Sequence, residues 1–316
     1  MSNPAASFEP YRRRLLGLAY RMLGSMADAE DAVQETYLRW HGADRNKVSD
    51  PRAFLMTTTT RLCLDRLTSA RARREEYVGP WLPEPVVDTA PLAPDSRTEL
   101  AEDLSIALLL TLDRLSPLER AAFLLHDVFD FSFSEVASAL ERSEAACRQL
   151  AARARAHVRA TQPRGVLRPP ARSGEINAKH VQLISAFAAA TQSGDLNALN
   201  KLLASDVRVV TDSGGKVAAG LNAQHRFGHV VEGADRVARF LVGGKRAGAW
   251  WRDDFTTRFA TINGLPGVIV DAPEGPVQTA AFEIEGDVIR ALYVVRNPDK
   301  LRHLAKASAP HESGRG

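Results

Sequence analysis

The sequence is poor in cysteine and has no long apolar run. Its two cysteines, Cys63 and Cys147, are far apart and both lie in helical apolar patterns. We therefore expect two buried thiols and neither a disulfide nor a metal site. No segment approaches the apolar length of a membrane span, and the short apolar run near the start is interrupted by Arg21, which argues against a signal peptide. The cytoplasm is the expected location.

A strong net charge is also missing. The net charge of +3 is too small to indicate a nucleic-acid partner, and residues 1–165 carry 22 Lys and Arg against 23 Asp and Glu. Within that half, however, the charges are segregated, because an early helical segment around residues 28–35 is acidic and a later one at 61–74 is rich in arginine. This segregation favours two partners of opposite charge. The 316 residues, 45% of them hydrophobic, are enough for two or three domains with cores.

Residues 134–158 have the pattern of a helix-turn-helix. Val136, Ala137 and Leu140 give the first helix an apolar face, residues 141–142 form the turn, and Ser143 is a candidate N-cap for the second helix. A helix that opens at Ser116-Pro117 precedes this pair and would complete a small bundle.

The second helix of this motif carries the candidate readers of duplex DNA. Arginine can bind the guanine edge, glutamine the adenine edge, and further arginines the phosphates. An amphipathic helix with a solvated basic face is the alternative. The candidate residues are Arg148, Gln149, Arg153 and Arg155.

The acidic segment predicts a helix that Ser25 and Asp28 cap and that runs to about Trp40. Val33, Tyr37 and Trp40 would form its buried stripe. An ordinary solvated face is the alternative to a docking role. The candidates for contact with a basic protein surface on the other side are Asp31, Gln34 and Glu35.

A further helix starts at Asp50-Pro51 and contains four consecutive threonines before its arginine-rich end. Hydroxyl and guanidinium groups can contact the bases and the backbone of a single strand. A solvated, arginine-rich helix end is the alternative. The candidate contacts are Thr59, Thr60, Arg61, Arg66, Arg71, Arg73 and Arg74.

The order of these motifs resembles that of bacterial sigma factors of the extracytoplasmic-function (ECF) type. Residues 28–40 resemble the polymerase-binding helix of the second sigma region, residues 61–75 the helix that reads the minus-ten element, and residues 116–159 the fourth region. The resemblance implies that the acidic helix meets the clamp helices of the largest polymerase subunit. It also implies that residues 59–74 hold the melted minus-ten strand and that residues 148–155 face the minus-thirty-five element.

Between the two readers, residues 77–99 are dense in proline and predict an extended linker. Its segment WLPEP is similar to a signature of the sigma-factor group that carries a SnoaL-like C-terminal extension. Two later segments are similar to further signatures of that group: DSGGK, which departs from DGGGK at Ser213, and NPDK. We expect these loops to be docking surfaces through which the extension packs near the linker and regulates the sigma domains. The residues concerned are Trp81, Leu82, Pro83, Glu84, Pro85, Asp212, Gly214, Gly215, Lys216, Asn297, Pro298, Asp299 and Lys300.

The extension itself reads as two helices followed by strands. The strands are expected at 207–212, 268–270, 278–284 and 288–295, with a hairpin turn at Gly286-Asp287. This order implies an α+β cone, a fold that often encloses a pocket, and the sequence leaves open whether a small ligand occupies it. Catalytic candidates would be His225, His229, Asp253 and Asp254, but no third metal ligand stands at a supporting spacing.

The expected protein is therefore multidomain: two all-α sigma domains, the second with the helix-turn-helix, followed by an α+β SnoaL-like cone domain. It would be no enzyme, would need no cofactor or metal, and would bind core RNA polymerase and promoter DNA. An active cyclase or isomerase fused to a sigma-like protein, or a polymerase-independent regulator, are the alternatives. The expected boundaries are 1–76 (region 2), 77–99 (linker), 100–160 (region 4), 161–174 (linker), 175–303 (cone) and 304–316 (disordered tail).

Overall fold

A computed structural model describes residues 4–75, 77, 79–87, 106–161, 176–216, 230–246, 252 and 254–305. The chain divides into two compact units, of which the first combines Met1–Glu76 with Pro94–Ala171 and the second combines Tyr77–Ala93 with Arg172–Gly316. The first part of the expected linker thus belongs to the same unit as the C-terminal domain. Among the described helices, none is long and apolar enough to span a membrane.

The described part of the first unit is helical. A π-helical turn at Leu124–Val128 continues its fifth helix. The helices are α1 (Pro4–Leu23), α2 (Met26–Gly42), α3 (Pro51–Glu75), α4 (Ile106–Asp113), α5 (Pro117–Phe123), α6 (Phe133–Leu140) and α7 (Glu144–Thr161).

Helices α1, α2 and α3 pack together because each has an apolar stripe. The hydroxyl of Ser25 accepts the backbone N–H of Asp28 and so caps α2, and Trp40, at the other end of the helix, is buried. The Trp40 ring packs against Phe54 of α3 at a centroid distance of 5.6 Å. The helix start expected from the sequence is therefore observed, and α2 ends two residues later than expected.

The second half of this unit is capped in the same manner. Ser116 and Glu119 form a reciprocal capping box on α5, and Ser132 and Glu135 form another on α6. The buried guanidinium of Arg120 donates to the carbonyl oxygen of Met22, at the end of α1. The two helical halves are thus joined by direct contacts within one unit.

The described part of the second unit has helices on a mixed sheet. The strands form one six-stranded sheet in the order β2-β1-β6-β5-β4-β3, in which β1 and β6 are parallel and the other pairs are antiparallel. The elements are α8 (Ala178–Ser193), α9 (Leu196–Leu202), β1 (Leu203–Asp212), β2 (Val230–Glu232), α10 (Ala234–Arg246), β3 (Thr256–Ile262), β4 (Leu265–Ala272), β5 (Gly275–Glu285), β6 (Val288–Val295) and α11 (Pro298–Ala305).

Buried side chains of α8, α9 and α10 form the core of this unit with β1, β5 and β6. Phe187 of α8 packs edge-on against Phe282 of β5, with ring centroids 5.5 Å apart. The α+β architecture agrees with the expected fold class. Helix α10 and strand β3 were not expected from the sequence, and α11 continues into the expected tail, with Leu304 buried.

Candidate functional site

The helix-turn-helix of the first unit is built by a left-handed turn between α6 and α7. Glu141 has φ 54°, which ends α6, and the Ser143 hydroxyl accepts the backbone N–H of Ala146 at the start of α7. The inner face of α7 is apolar and buried, with Cys147, Leu150 and Ala154 along it. The opposite face of α7 is consequently presented to solvent.

This exposed face carries the side chains expected to read DNA. Arg148 is 57% exposed, pairs with Glu144 at 2.6 Å and lies over the ring of Phe133. Gln149 and Arg153 are also exposed. Arg148 and Gln149 remain available to a groove, since the ion pair of Arg148 is at the surface, whereas Arg153 pairs at 3.3 Å with Glu119, whose side chain is only 12% exposed.

Arg155 differs from these side chains. Its Nε lies 2.7 Å from a carboxylate oxygen of Asp127, and both groups are largely covered. We expected Arg155 to contact phosphate, but in this structure it pairs within its own domain.

The acidic residues of α2 lie on the outer side of the helix. Asp31 and Gln34 are exposed and Glu35 is half-exposed. Leu38, one turn further along, is 61% exposed and is one of four exposed large apolar side chains among the described residues. Sequence reasoning missed Leu38, although its spacing of seven residues from Asp31 places both on one helix face.

Two of the threonines expected to contact a DNA strand are buried. The hydroxyls of Thr59 and Thr60 donate to the carbonyl oxygens of Leu55 and Met56 in their own helix, and Thr59 also bonds Thr36 of α2. The expectation was wrong for these two residues, because they lie on the face of α3 that packs into the bundle. Their hydroxyls are satisfied locally and have no access to a ligand.

Arg66 was expected to bind phosphate and instead binds the acidic helix. Its Nη1 donates to the carbonyl oxygen of Asp28 at 2.8 Å, and its guanidinium lies within 4.0 Å of carboxylate oxygens of Asp31 and Glu35. The packing of α3 against α2 brings this about. Arg71, Arg73 and Arg74 lie in the last turns of α3, but their side chains fall outside the described residues.

Arg61 connects α3 to the helix-turn-helix. It donates to the carbonyl oxygens of Ser138 and Ala139, at 2.9 and 3.0 Å, and pairs with Glu141 at 3.1 Å. These carbonyls belong to the last turn of α6, where helical partners are missing and negative charge accumulates. The arginine expected to hold the melted strand is therefore engaged by the other DNA-reading domain.

In the second unit, Asp212 lies at the end of β1 and is fully buried. Its carboxylate accepts the backbone N–H groups of Leu82 and Gly214, at 2.8 and 3.1 Å, and the hydroxyl of Tyr77. It also pairs with the ammonium of Lys300 at 2.7 Å. One carboxylate thus fixes two points of the linker segment on the C-terminal domain.

Lys300 completes this arrangement, which we call the linker clasp (Tyr77, Trp81, Leu82, Asp212 and Lys300). Its ammonium donates to the carbonyl oxygen of Leu82 and lies 4.9 and 4.3 Å from the ring centroids of Tyr77 and Trp81. Such cation–π contacts help to compensate the desolvation of the charge. Burial and the charge of Asp212 raise the pKa of Tyr77, so its phenol stays protonated and donates.

The DSGGK loop and the NPDK segment lie beside the clasp. Asn297 donates from Nδ2 to the Tyr77 oxygen at 2.9 Å. A Cβ on Gly214, which has φ 57°, would lie 2.4 Å from this same Nδ2, so a glycine is required there. Lys216 pairs with Asp299 at the surface. The structure brings these loops together with the first residues of the linker.

The rest of the linker segment follows the C-terminal domain. The Pro85 carbonyl oxygen forms a hydrogen bond with His303 at 2.8 Å. The Val86 N–H donates to the side-chain oxygen of Asn263, and the Val86 carbonyl oxygen accepts the backbone N–H of Asn263. Tyr77, Asn263 and His303 were not among the expected contact residues. For Asn263, the Asn-Gly pair at 263–264 is a sequence signal for a hairpin turn. Of the remaining expected residues, Gly215 has φ 70° in the loop, Pro298 opens α11, and Pro83 and Glu84 lie between Leu82 and Pro85.

One of the four catalytic candidates lies among the described residues. His225, His229 and Asp253 fall outside the described residues, and Asp254 is paired with Arg252 at an exposed position. The described residues contain no group of three or more His, Cys, Asp or Glu that could hold a metal ion. Cys63 is fully buried, and desolvation raises its pKa to about 12.

Comparison with known proteins identifies two sigma regions in the helical part of the chain. The chain matches the family models for Sigma-70 region 2 over residues 8–73 and for Sigma-70, region 4, over residues 105–158. It is 41% identical to the ECF RNA polymerase sigma factor SigJ of Mycobacterium tuberculosis, over 93% of this chain and 92% of that protein. It is 31% identical to the probable ECF RNA polymerase sigma factor SigI of the same organism, with 95% of both chains covered.

A solved structure shows the same architecture over nearly the whole length. The crystal structure of the Mycobacterium tuberculosis extracytoplasmic function sigma factor SigJ matches with a TM-score of 0.68 and 35% identity, and the match covers 94% of this chain and 98% of that one. The helical domains and the C-terminal domain with its mixed sheet therefore occur together in a relative. The chain belongs to the ECF family of RNA polymerase sigma factors and is of the SigJ type.

Proposed function

We propose that the chain binds core RNA polymerase through α2, directs it to promoters through α3 and α7, and is regulated in cis by its C-terminal domain. The observation that carries the proposal is the presence, in one helical unit, of an exposed acidic face on α2 and an exposed arginine-bearing face on α7. DNA is negatively charged and would repel the first face, so that face fits a second, basic partner. These two faces therefore favour a sigma factor over a regulator that acts without polymerase.

The face of α2 has the composition of a protein interface. Leu38 supplies an exposed apolar centre, and Gln34 and Asp31 supply polar groups one and two turns away, respectively. Protein interfaces commonly combine a buried apolar centre with a polar rim. The clamp helices of the largest polymerase subunit are the proposed partner, and their surface would have to be basic to complement this face.

The contact of Arg61 with α6 defines a closed form of the first unit. Since Arg61 would have to reach the melted strand, its bonds to Ser138 and Ala139 must break when the promoter opens. The side chain is 43% exposed, so these bonds are weak in water and can be exchanged for contacts with DNA. We take the described arrangement as the resting state, and binding of polymerase as the event that shifts the population away from it.

The C-terminal domain acts, in this proposal, on the linker and carries out no reaction. It holds residues 77–87 through the linker clasp, and these residues precede the segment that leads to region 4. A linker fixed at one end has fewer ways to let two DNA-reading domains reach separated elements. Release or retention of the clasp would therefore change transcription at constant protein level.

Co-elution with core RNA polymerase tests the polymerase contact. The Asp31→Lys/Glu35→Lys variant should no longer co-elute, because two charge reversals place like charges in the interface. The Leu38→Ala variant should co-elute less, through loss of apolar contact. Asp206→Lys/Asp235→Lys is the control, since it also reverses two exposed, ion-paired acids, here in the C-terminal domain, and should co-elute normally.

The helical content of each variant must remain that of the parent chain, as expected for exposed positions. Normal co-elution of the Asp31/Glu35 variant would contradict the proposal. Equal loss in the control variant would show a nonspecific charge effect and would also contradict it.

A further inference from the structure

We propose that the C-terminal domain binds an apolar monocarboxylate in the cavity between α8, α10 and the sheet. The cavity has a volume of about 400 Å³. This is within the range of about 300 to 1,000 Å³ that is typical of small-molecule sites. The site stands apart from the linker clasp, and its existence does not depend on the proposed sigma function.

The floor of the cavity is an apolar strip across the sheet. Phe259, Val268, Ala280 and Val294 are successive partners on β3, β4, β5 and β6, so they form one cross-strand row. Side chains in one such row point to the same face of the sheet. This row offers a continuous apolar surface to a chain or ring system that lies across it.

The helices supply the opposite wall. Phe187 of α8 and Leu241 of α10 line the cavity, and Phe187 is held against Phe282 of the floor. Ala188 also lines it, and its small side chain leaves room between helix and sheet. The walls therefore select an apolar occupant.

The lining also contains polar side chains on α8 (Ser185, Thr191 and Gln192), on α10 and on the sheet. Lys245, in the last turn of α10, is the ionisable residue among the described lining residues, and it makes no ion pair with any described residue. Thr257 and Gln278 both lie opposite Val270, in the next row of the same sheet face. An ammonium with amide and hydroxyl groups fits a carboxylate, whereas a cationic head group would be repelled.

The cavity is open to solvent on the β3 side. Phe259 is 43% exposed although its ring lines an apolar cavity, and Thr257 beside it is exposed too. A partly exposed aromatic ring at a cavity mouth is a surface that a ligand would cover.

Titration calorimetry of the full chain with decanoate, decan-1-ol and decylammonium, each below its aggregation concentration, tests the proposal. We expect saturable one-to-one binding of decanoate, binding of decan-1-ol weaker by about tenfold, the value of one charge-assisted hydrogen bond, and no saturable binding of decylammonium. Equal binding of all three compounds, or no binding of decanoate, would overturn it.

Three variants locate the site. Lys245→Met should remove the preference for decanoate over decan-1-ol, while Lys201→Met, which changes an exposed lysine of α9 outside the cavity, should keep it. Ala188→Phe fills the cavity from a half-exposed helix position that tolerates a larger side chain, and it should weaken binding of both decanoate and decan-1-ol. Unchanged binding in Ala188→Phe, or the same loss in Lys201→Met as in Lys245→Met, would place the ligand elsewhere and refute the assignment.

Discussion

Removal of one partner of the Asp212–Lys300 pair should destabilise the C-terminal domain strongly. The Asp212 side chain is fully buried and that of Lys300 is 9% exposed. In Asp212→Asn the ammonium loses its counter-charge, and the new amide group faces some of the donors that the carboxylate accepted. Breaking a buried pair in this manner costs about 3 to 5 kcal/mol of the free energy of unfolding.

Lys300→Met should cost less. It leaves a buried carboxylate that still accepts the N–H groups of Leu82 and Gly214 and the Tyr77 hydroxyl, so we expect a loss of about 3 kcal/mol. The double variant Asp212→Asn/Lys300→Met leaves neither of the two charges in the linker clasp. Its loss should fall short of the sum of the single losses by about 1 to 3 kcal/mol.

The assay is urea denaturation of the full chain, with hydrogen exchange read separately on peptides from β1 and β6 and on peptides from α1 to α3. The β1 and β6 peptides should lose protection at lower urea, and the Leu82 amide should exchange faster, whereas the α1 to α3 peptides should not change. Asp271→Asn is the control, because its pair with Arg258 is only partly buried and should contribute about 1 kcal/mol or less. Additive losses in the double variant, or a loss no larger than in the control, would refute the reasoning.

Three further predictions concern single positions. Arg148→Ala should relax base preference in the minus-thirty-five element at a cost of about 1 to 3 kcal/mol in binding, whereas Arg155→Ala, which removes a pair with Asp127, should not change base preference. Binding to a series of promoter variants measures both effects, and an equal loss of base preference in the two protein variants would contradict the assignment. Gly214→Ala should destabilise the C-terminal domain by about 1 to 3 kcal/mol more than Gly286→Ala, because both glycines have positive φ but only at Gly214 would a Cβ meet Asn297. Thermal denaturation measures the difference, and an equal loss of stability in the two variants would argue against this contact. The Cys63 thiol, whose pKa burial raises to about 12, should resist alkylation at pH 8 in the folded chain and react on unfolding, and fast alkylation of the native protein would show that it is accessible.

Much of the fold follows from local patterns in the sequence. The expected strand at 288–295 coincides with β6, and α3 begins and ends where its proline start and arginine-rich end indicated. In both cases the hydrophobic periodicity and the flanking residues that interrupt it indicate the same boundaries. Helix α10 was not expected, because Gly243 and Gly244 lower its helix propensity and tertiary packing of Val237 and Leu241 overrides this. The alternation of apolar and polar residues is weak along strand β3, since most of its side chains are exposed or half-exposed.

The site was harder to predict than the fold. A threonine in a helix can satisfy its hydroxyl on the carbonyl four residues earlier, so the sequence does not distinguish a buried Thr59 or Thr60 from one that faces DNA. The partners of Arg61 and Arg66 lie 78 and 38 residues away along the chain, and only the packing of α3 brings them together. Leu38 lacked a signal other than its position on the acidic face.

Run-off transcription with purified core RNA polymerase tests the central claim most directly. A library of promoter fragments would be transcribed with core enzyme alone, with the full chain added, and with the Asp31→Lys/Glu35→Lys variant added. The account predicts discrete run-off transcripts from a subset of promoters only when the full chain is present, and their loss with the variant. It would be contradicted if the full chain gave no promoter-specific transcript from the library, or if the variant supported transcription as well as the parent chain.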